Sequence, residues 1–267
     1  MSETQVLGIV DGLSILTCLA FLTYSSWSDL RTREVSDRVW LIFFPIALSL
    51  TSIRIALRQE LIQISILSVF LSLTISAVLL YSGFFGGADI KALICITVST
   101  PTPLATVEPV TGFLHPFFPV TFFCNSCLIA LSPAAYITLR NMLRISKGDT
   151  RLFSGFEEEP AWRKMLAFIS GYKTNFSELK KKHLYPMEQV SASDGKTLRR
   201  FRFFLDVEAD QEETVKELES HLEKRLIPRE VWVSPGLPML VFFTLGYVST
   251  ITLGDFTIWL AKILIQL

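Results

Sequence analysis

Six long apolar runs order this chain, at roughly residues 6–28, 39–58, 61–82, 88–105, 116–139 and 236–258. A helix needs about 20 apolar residues to cross the hydrocarbon core of a bilayer, so each run is predicted as a transmembrane helix. Pro101 and Pro103 end the fourth run early. The last run continues as 256-FTIWLAKILIQL-267, which is more than one crossing requires. That helix must tilt, or turn along the interface.

Between the fifth and sixth runs the pattern changes. Residues 142–234 carry most of the charge, as in 178-ELKKKH-183 and 207-VEADQEETVKELESHLEKR-225. The stretch 198–207 alternates in part and is rich in aromatics, which predicts a strand. Val215, Leu218, Leu222 and Leu226 recur at helical spacing, which predicts a helix over 210–226. An interfacial helix is expected near 150–170. The predicted fold class is an all-α polytopic membrane protein, with six transmembrane helices and a small α+β cytoplasmic insert before the last. Its parts are a membrane domain at 1–141, the insert at 142–234, and the sixth helix with the C-terminus at 235–267.

Arg31, Arg33 and Arg38 crowd the first loop, and Arg140, Arg144 and Lys147 follow the fifth run. The positive-inside rule places both segments in the cytoplasm, and both chain termini outside. Arg54 and Arg58, at the outer end of the second run, depart from this rule and are expected to snorkel to the outer interface. Composition agrees with a membrane protein: of 267 residues, 50% are hydrophobic and 19% charged. The net charge is zero, so charge gives no argument for nucleic acid or an acidic partner, and no nucleic acid is expected. The lipid bilayer is the first partner implied. Cys18, Cys95, Cys124 and Cys127 all lie in apolar stretches, so 124-CNSC-127 is read as helix packing rather than a metal or redox site.

Counting crossings brings two carboxylates together. Asp29 ends the first run and Asp89 opens the fourth. The second run leaves the cytoplasm and the third returns, so both lie on one face at similar depth. Carboxylates near the hydrocarbon boundary are costly and are read as functional or paired. Two that face each other share one proton, the arrangement in which an ionised Asp takes a proton from water while its protonated partner polarises a carbonyl. Asp11 is about 27 Å from Asp29 along a helix, too far to join them. Asp37 is a competing first carboxylate, although Ser36 or Asp37 also suits a helix N-cap. Lys91 either orients Asp89 or marks the cytoplasmic boundary. Gly83, Gly86 and Gly87 let the chain turn sharply and let an extended substrate backbone come close. His115, His183 and His221 have no Cys or Asp at metal-ligating spacing, so no metal and no cofactor is expected.

The paired segments 28-SDLRTREVSDRVW-40 and 83-GFFGGADIKAL-93 resemble the two active-site segments of the type IV prepilin peptidases. More narrowly, they resemble the archaeal preflagellin peptidase branch, intramembrane aspartyl proteases of the GxGD class. The resemblance implies Asp29 and Asp89 as the catalytic pair, and preflagellin or prepilin-like precursors as membrane-inserted partners. It also implies that a short leader is removed at the cytoplasmic face. One position departs from the family pattern: the signature reads Gly86-Gly87-Ala88-Asp89, with Ala88 where the second Gly belongs. The paired CxxC motifs of the bacterial relatives have no counterpart, since Cys124 and Cys127 lie inside a predicted span and no second pair follows, so peptidase activity without methyl transfer is expected. The alternatives are an intramembrane aspartyl protease of the presenilin or signal-peptide-peptidase kind, and a non-enzymatic transport or assembly protein. Neither the oligomeric state nor the identity of the precursor follows from the sequence.

Overall fold

The computed structural model describes residues 2–83, 85–149, 152–179, 184–193, 196–203 and 209–266. His183 and the end of the strand predicted at 198–207 lie outside the described residues. The chain forms two compact units, one of residues 1–130 with 238–267 and one of residues 131–237. These divide at different points from the expected 141/142 and 234/235, because the helix that begins at Ser132 packs against elements of the second unit.

The first unit is helical. Its helices before the second unit are α1 (Glu3–Thr32), α2 (Asp37–Leu57), α3 (Ile62–Ser82), α4 (Gly87–Ser99) and α5 (Phe118–Ala130). Ser2 caps α1 by accepting from the Gln5 amide, and Ser36 caps α2 by accepting from the Arg38 amide. α1 packs on α2 and α4, and α2 packs on α4. Cys18, Leu22, Phe43, Leu93, Ile96 and Phe122 meet in the core of the bundle.

Side-chain placement on α3 follows the rule for a helix surrounded by lipid. Ser65, Ser68, Ser72 and Ser76 are buried, while Ile66, Leu67, Phe70 and Val78 face outward. With apolar lipid outside, burying Leu gains nothing, and small residues let helix backbones approach.

Four helical stretches are long and apolar enough to cross a membrane: Glu3–Thr32, Asp37–Leu57, Gln59–Ser82 and Phe118–Ser146. The sixth run gives a fifth only if α10 (Met239–Thr252) and α11 (Phe256–Gln266) count as one span, and they bend by 70°. The surplus length seen in the sequence is thus taken up by a turn. Gly254 makes the turn in the left-handed region, φ 90°, which favours a residue without Cβ. Asp255 then starts α11 by accepting from the Ile258 amide at 2.9 Å, and its other oxygen accepts from Thr121 at 3.0 Å. The fourth run yields only the 13 residues of α4, about 20 Å of helix. That is shorter than the roughly 30 Å hydrocarbon core.

The second unit contains α6 (Ser132–Ser146), α7 (Ala161–Ser170), α8 (Phe176–Leu179) and α9 (Ala209–Glu223). Its strands are β1 (Tyr172–Asn175), β2 (Leu184–Pro186), β3 (Glu188–Ser193), β4 (Lys196–Phe201) and β5 (Glu230–Pro235). The helix expected at 210–226 is α9, and residues 198–201 of the strand expected at 198–207 fall in β4, which ends before 202–203. β5 lies between β1 and β2 in an antiparallel sheet, and β3 pairs with β4 as a hairpin. Glu188, fully buried, takes two hydrogen bonds from Arg199 and one from the Trp232 amide. Burial pushes its carboxyl up, and the Arg199 guanidinium opposes that shift.

Candidate active site

Asp29 lies in the last turn of α1, and the helix stops just beyond it. Arg33 adopts the left-handed region, φ 60°, and its amide closes on the Asp29 carbonyl at 3.0 Å. Ser28 and Thr32 both donate to the Glu34 carbonyl, which folds the following loop back over the helix end. Asp29 is half-buried.

Asp89 enters from the opposite direction along the chain. α3 ends at Gly83, φ 71°, in the left-handed region that favours glycine. α4 then starts after Gly86. Asp89, in the first turn, reaches back and accepts from the Gly86 amide at 3.1 Å. This satisfies one of the donors that a helix N-terminus leaves over, and it fixes the direction of the carboxylate. Asp89 is half-buried, and its charge interacts with that of Asp29. α1 and α4 therefore hold the two carboxylates within electrostatic range, across 60 residues of sequence.

Beside them the backbone of Gly86 and Gly87 is exposed. A Cβ on Gly87 would meet nothing within 4 Å. Ala88, the residue that departs from the family pattern, packs against the apolar core. Its methyl is thus accommodated inside the protein.

The two auxiliary candidates find each other instead of the pair. Lys91 Nζ donates to Asp37 Oδ1 at 2.5 Å, and Asp37 is 73% exposed. Residues two apart on a helix point to opposite sides, so Lys91 faces away from Asp89 and toward α2. Trp40, Leu41, Phe44, Pro45 and Ile94 line a groove of ≈ 360 Å³ beside this ion pair. Ser36 rather than Asp37 supplies the cap of α2.

A buried ion pair was not foreseen from the sequence. Arg54 does not snorkel: it is 2% exposed and donates to Asp11, itself fully buried, at 3.0 Å. Its other nitrogens donate to Ser14 Oγ at 2.9 Å and to the Ser99 carbonyl at 3.2 Å. The signal was available. Asp11 lies about 27 Å along α1 from Asp29, and Arg54 a similar distance along α2 from Asp37. The crossing count that pairs Asp29 with Asp89 also puts these two at one depth.

Comparison with known proteins bears on both units. Residues 16–134, which include Asp29 and Asp89, match the type IV leader peptidase family. Residues 163–256 match the archaeal peptidase A24 C-terminus, type II. A preflagellin peptidase of Methanococcus maripaludis (strain C6) is 24% identical over 241 residues, covering 88% of this chain and 92% of its own length. One from Methanocaldococcus jannaschii is 24% identical over 248 residues, covering 88% and 91%. One from Methanococcus voltae is 25% identical over 245 residues, covering 88% and 92%.

Proposed function

We propose that this chain, which belongs to the type IV leader peptidase family, is a membrane-embedded aspartic endopeptidase that removes the short leader from preflagellin or prepilin-like precursors. The observation that carries the reading is the Asp29–Asp89 pair at two helix ends, beside the open backbone of Gly86 and Gly87. Six crossings, with the site at the cytoplasmic face, complete the reading. The precursor's apolar helix lies against the spans while its leader runs extended past the glycines.

The chemistry is direct attack by water. The ionised carboxylate takes a proton as the water oxygen bonds to the scissile carbonyl carbon, and the protonated carboxyl gives its proton to the carbonyl oxygen. Collapse of that intermediate breaks the C–N bond, and the amine leaves with a proton from the pair. No covalent enzyme intermediate and no metal enters the scheme, and no methyl transfer follows. In-vitro cleavage of a model precursor by the detergent-solubilised chain tests this. Release of the leader peptide is expected, and an intact precursor under conditions where the chain is folded overturns it.

The glycine slot has its own test. Gly87→Ala is expected to leave stability within about 1 kcal/mol, because the methyl points into open space. It is expected to lower kcat/KM roughly tenfold by displacing the substrate backbone. Gly83→Ala strains a left-handed residue and costs roughly 1–2 kcal/mol. Thermal unfolding and cleavage assays on the two variants separate the effects, and full activity in Gly87→Ala rules out backbone binding there.

A further inference from the structure

We propose that α7 is an interfacial anchor, with its outward face lying in the headgroup and upper acyl region of the bilayer. The residues on that face are Ala161, Trp162, Met165, Leu166 and Ile169, and all are exposed. They cover about 140° of the helix surface at 100° per residue. Trp162 and Met165 are each 59% exposed. The opposite side carries Arg163, Lys164 and Ser170 around the fully buried Ala167, and Phe168 on one flank packs on the cluster of Phe156, Phe201 and Trp232. A water-facing helix places its polar residues outward, and α7 does the reverse. Arg163 turns along the flank to the Phe201 carbonyl, and Lys164 to the Glu157 carbonyl at 3.2 Å. The polar groups are thus engaged by the protein, and the outward strip is left dry.

The occupant is lipid because of where α7 is tied down. Asn141 of α6 donates to the Phe168 carbonyl at 2.8 Å and to the Gly171 carbonyl at 2.7 Å, which staples the end of α7 to α6. α6 is the second half of the 29-residue apolar stretch Phe118–Ser146. About 20 residues of that stretch cross the hydrocarbon core, so Asn141 stands about one helical turn beyond its boundary, within the interfacial layer. A helix pinned at that depth, with a Trp at the start of an apolar face, has its most favourable partner there. The consequence concerns the second unit. Phe201 at the end of β4 and Trp232 in β5 pack on α7, so anchoring α7 holds both the hairpin and the sheet at the membrane surface.

The test uses the full chain in lipid vesicles. A photoreactive benzophenone side chain replaces Met165 or Ile169 in separate variants, and exposed Glu217 on α9 as the reference. Mass spectrometry is expected to find lipid adducts several-fold more abundant from 165 and 169 than from 217. Equal yields at all three overturn the proposal, and so do adducts at 165 and 169 to a second chain or to an added precursor. A second readout needs no bulky probe. Trp162→Phe is expected to remove a fluorescence component that lipids brominated near the headgroup quench, and unchanged quenching overturns the anchor.

Discussion

Asp29→Asn and Asp89→Asn are each expected to abolish leader removal while the chain remains folded and inserted in the membrane. The loss is expected to reach about 10²–10⁴-fold, the contribution of a positioned acid or base. Asn has nearly the shape of Asp but neither takes a proton from water nor gives one to the carbonyl. At position 89 it also keeps an oxygen that can accept from the Gly86 amide, the local bond that positions the side chain. Lost activity in Asp89→Asn therefore reports lost chemistry rather than a lost helix start. The measurement is leader release from a model precursor, with thermal unfolding in detergent as the fold control. Cleavage near the wild-type rate in either variant removes that residue from the catalytic pair. Asp37→Asn is the internal comparison: Asp37 pairs with Lys91 at the surface, so its loss is expected to change cleavage little. The shared proton adds a sign. Activity should fall at alkaline pH, once both carboxylates are ionised and neither can polarise the carbonyl, and a rate profile without that limb argues against sharing.

Asp11→Ala is expected to destabilise the first unit by about 3–5 kcal/mol, because it leaves the guanidinium of Arg54 buried and unpaired. Ser14 and the Ser99 carbonyl remain as partners, but neither carries a charge. Replacing both residues at once, Asp11→Leu with Arg54→Leu, is expected to recover most of that loss, since no buried charge is left behind. Denaturation of the three detergent-solubilised chains measures the difference. A double variant as unstable as Asp11→Ala overturns the reading of an isolated charge as the source of the cost. The pair lies about 27 Å from Asp29 along α1, so each chain that stays folded should still release the leader. Loss of cleavage in a folded Asp11→Ala chain would connect this pair to catalysis.

The Asp29–Asp89 and Asp11–Arg54 pairs differed in how they could be found. Asp29 and Asp89 sit at the ends of apolar runs, where counting crossings puts them on one face. Arg54 was misread because its place near the outer end of a run suggested an exposed head group. Its partner, one helix away at the same depth, takes it inward. For Lys91 the sequence leaves two roles open, orienting Asp89 or marking the boundary, and the turn of α4 sends it to Asp37.

What the sequence by itself determined is the class of the protein, a helical membrane chain with a strand-containing insert, and the identity of the two candidate carboxylates. Apolar run length, loop charge and crossing number carry that information. Only the tertiary structure decided which way each helix turns about its axis, where the last run bends, and which charges meet. The physical reason is the solvent. In lipid both the outward and the inward sides of a helix are apolar, so hydrophobicity does not encode rotation as it does in water. On α3 the buried side is instead marked by the small residues Ser65, Ser68, Ser72 and Ser76. On α1 and α2 the inward side is set by partners on other helices: Asp11 faces inward because Arg54 is there. Such a match between distant residues exists only once the helices are packed.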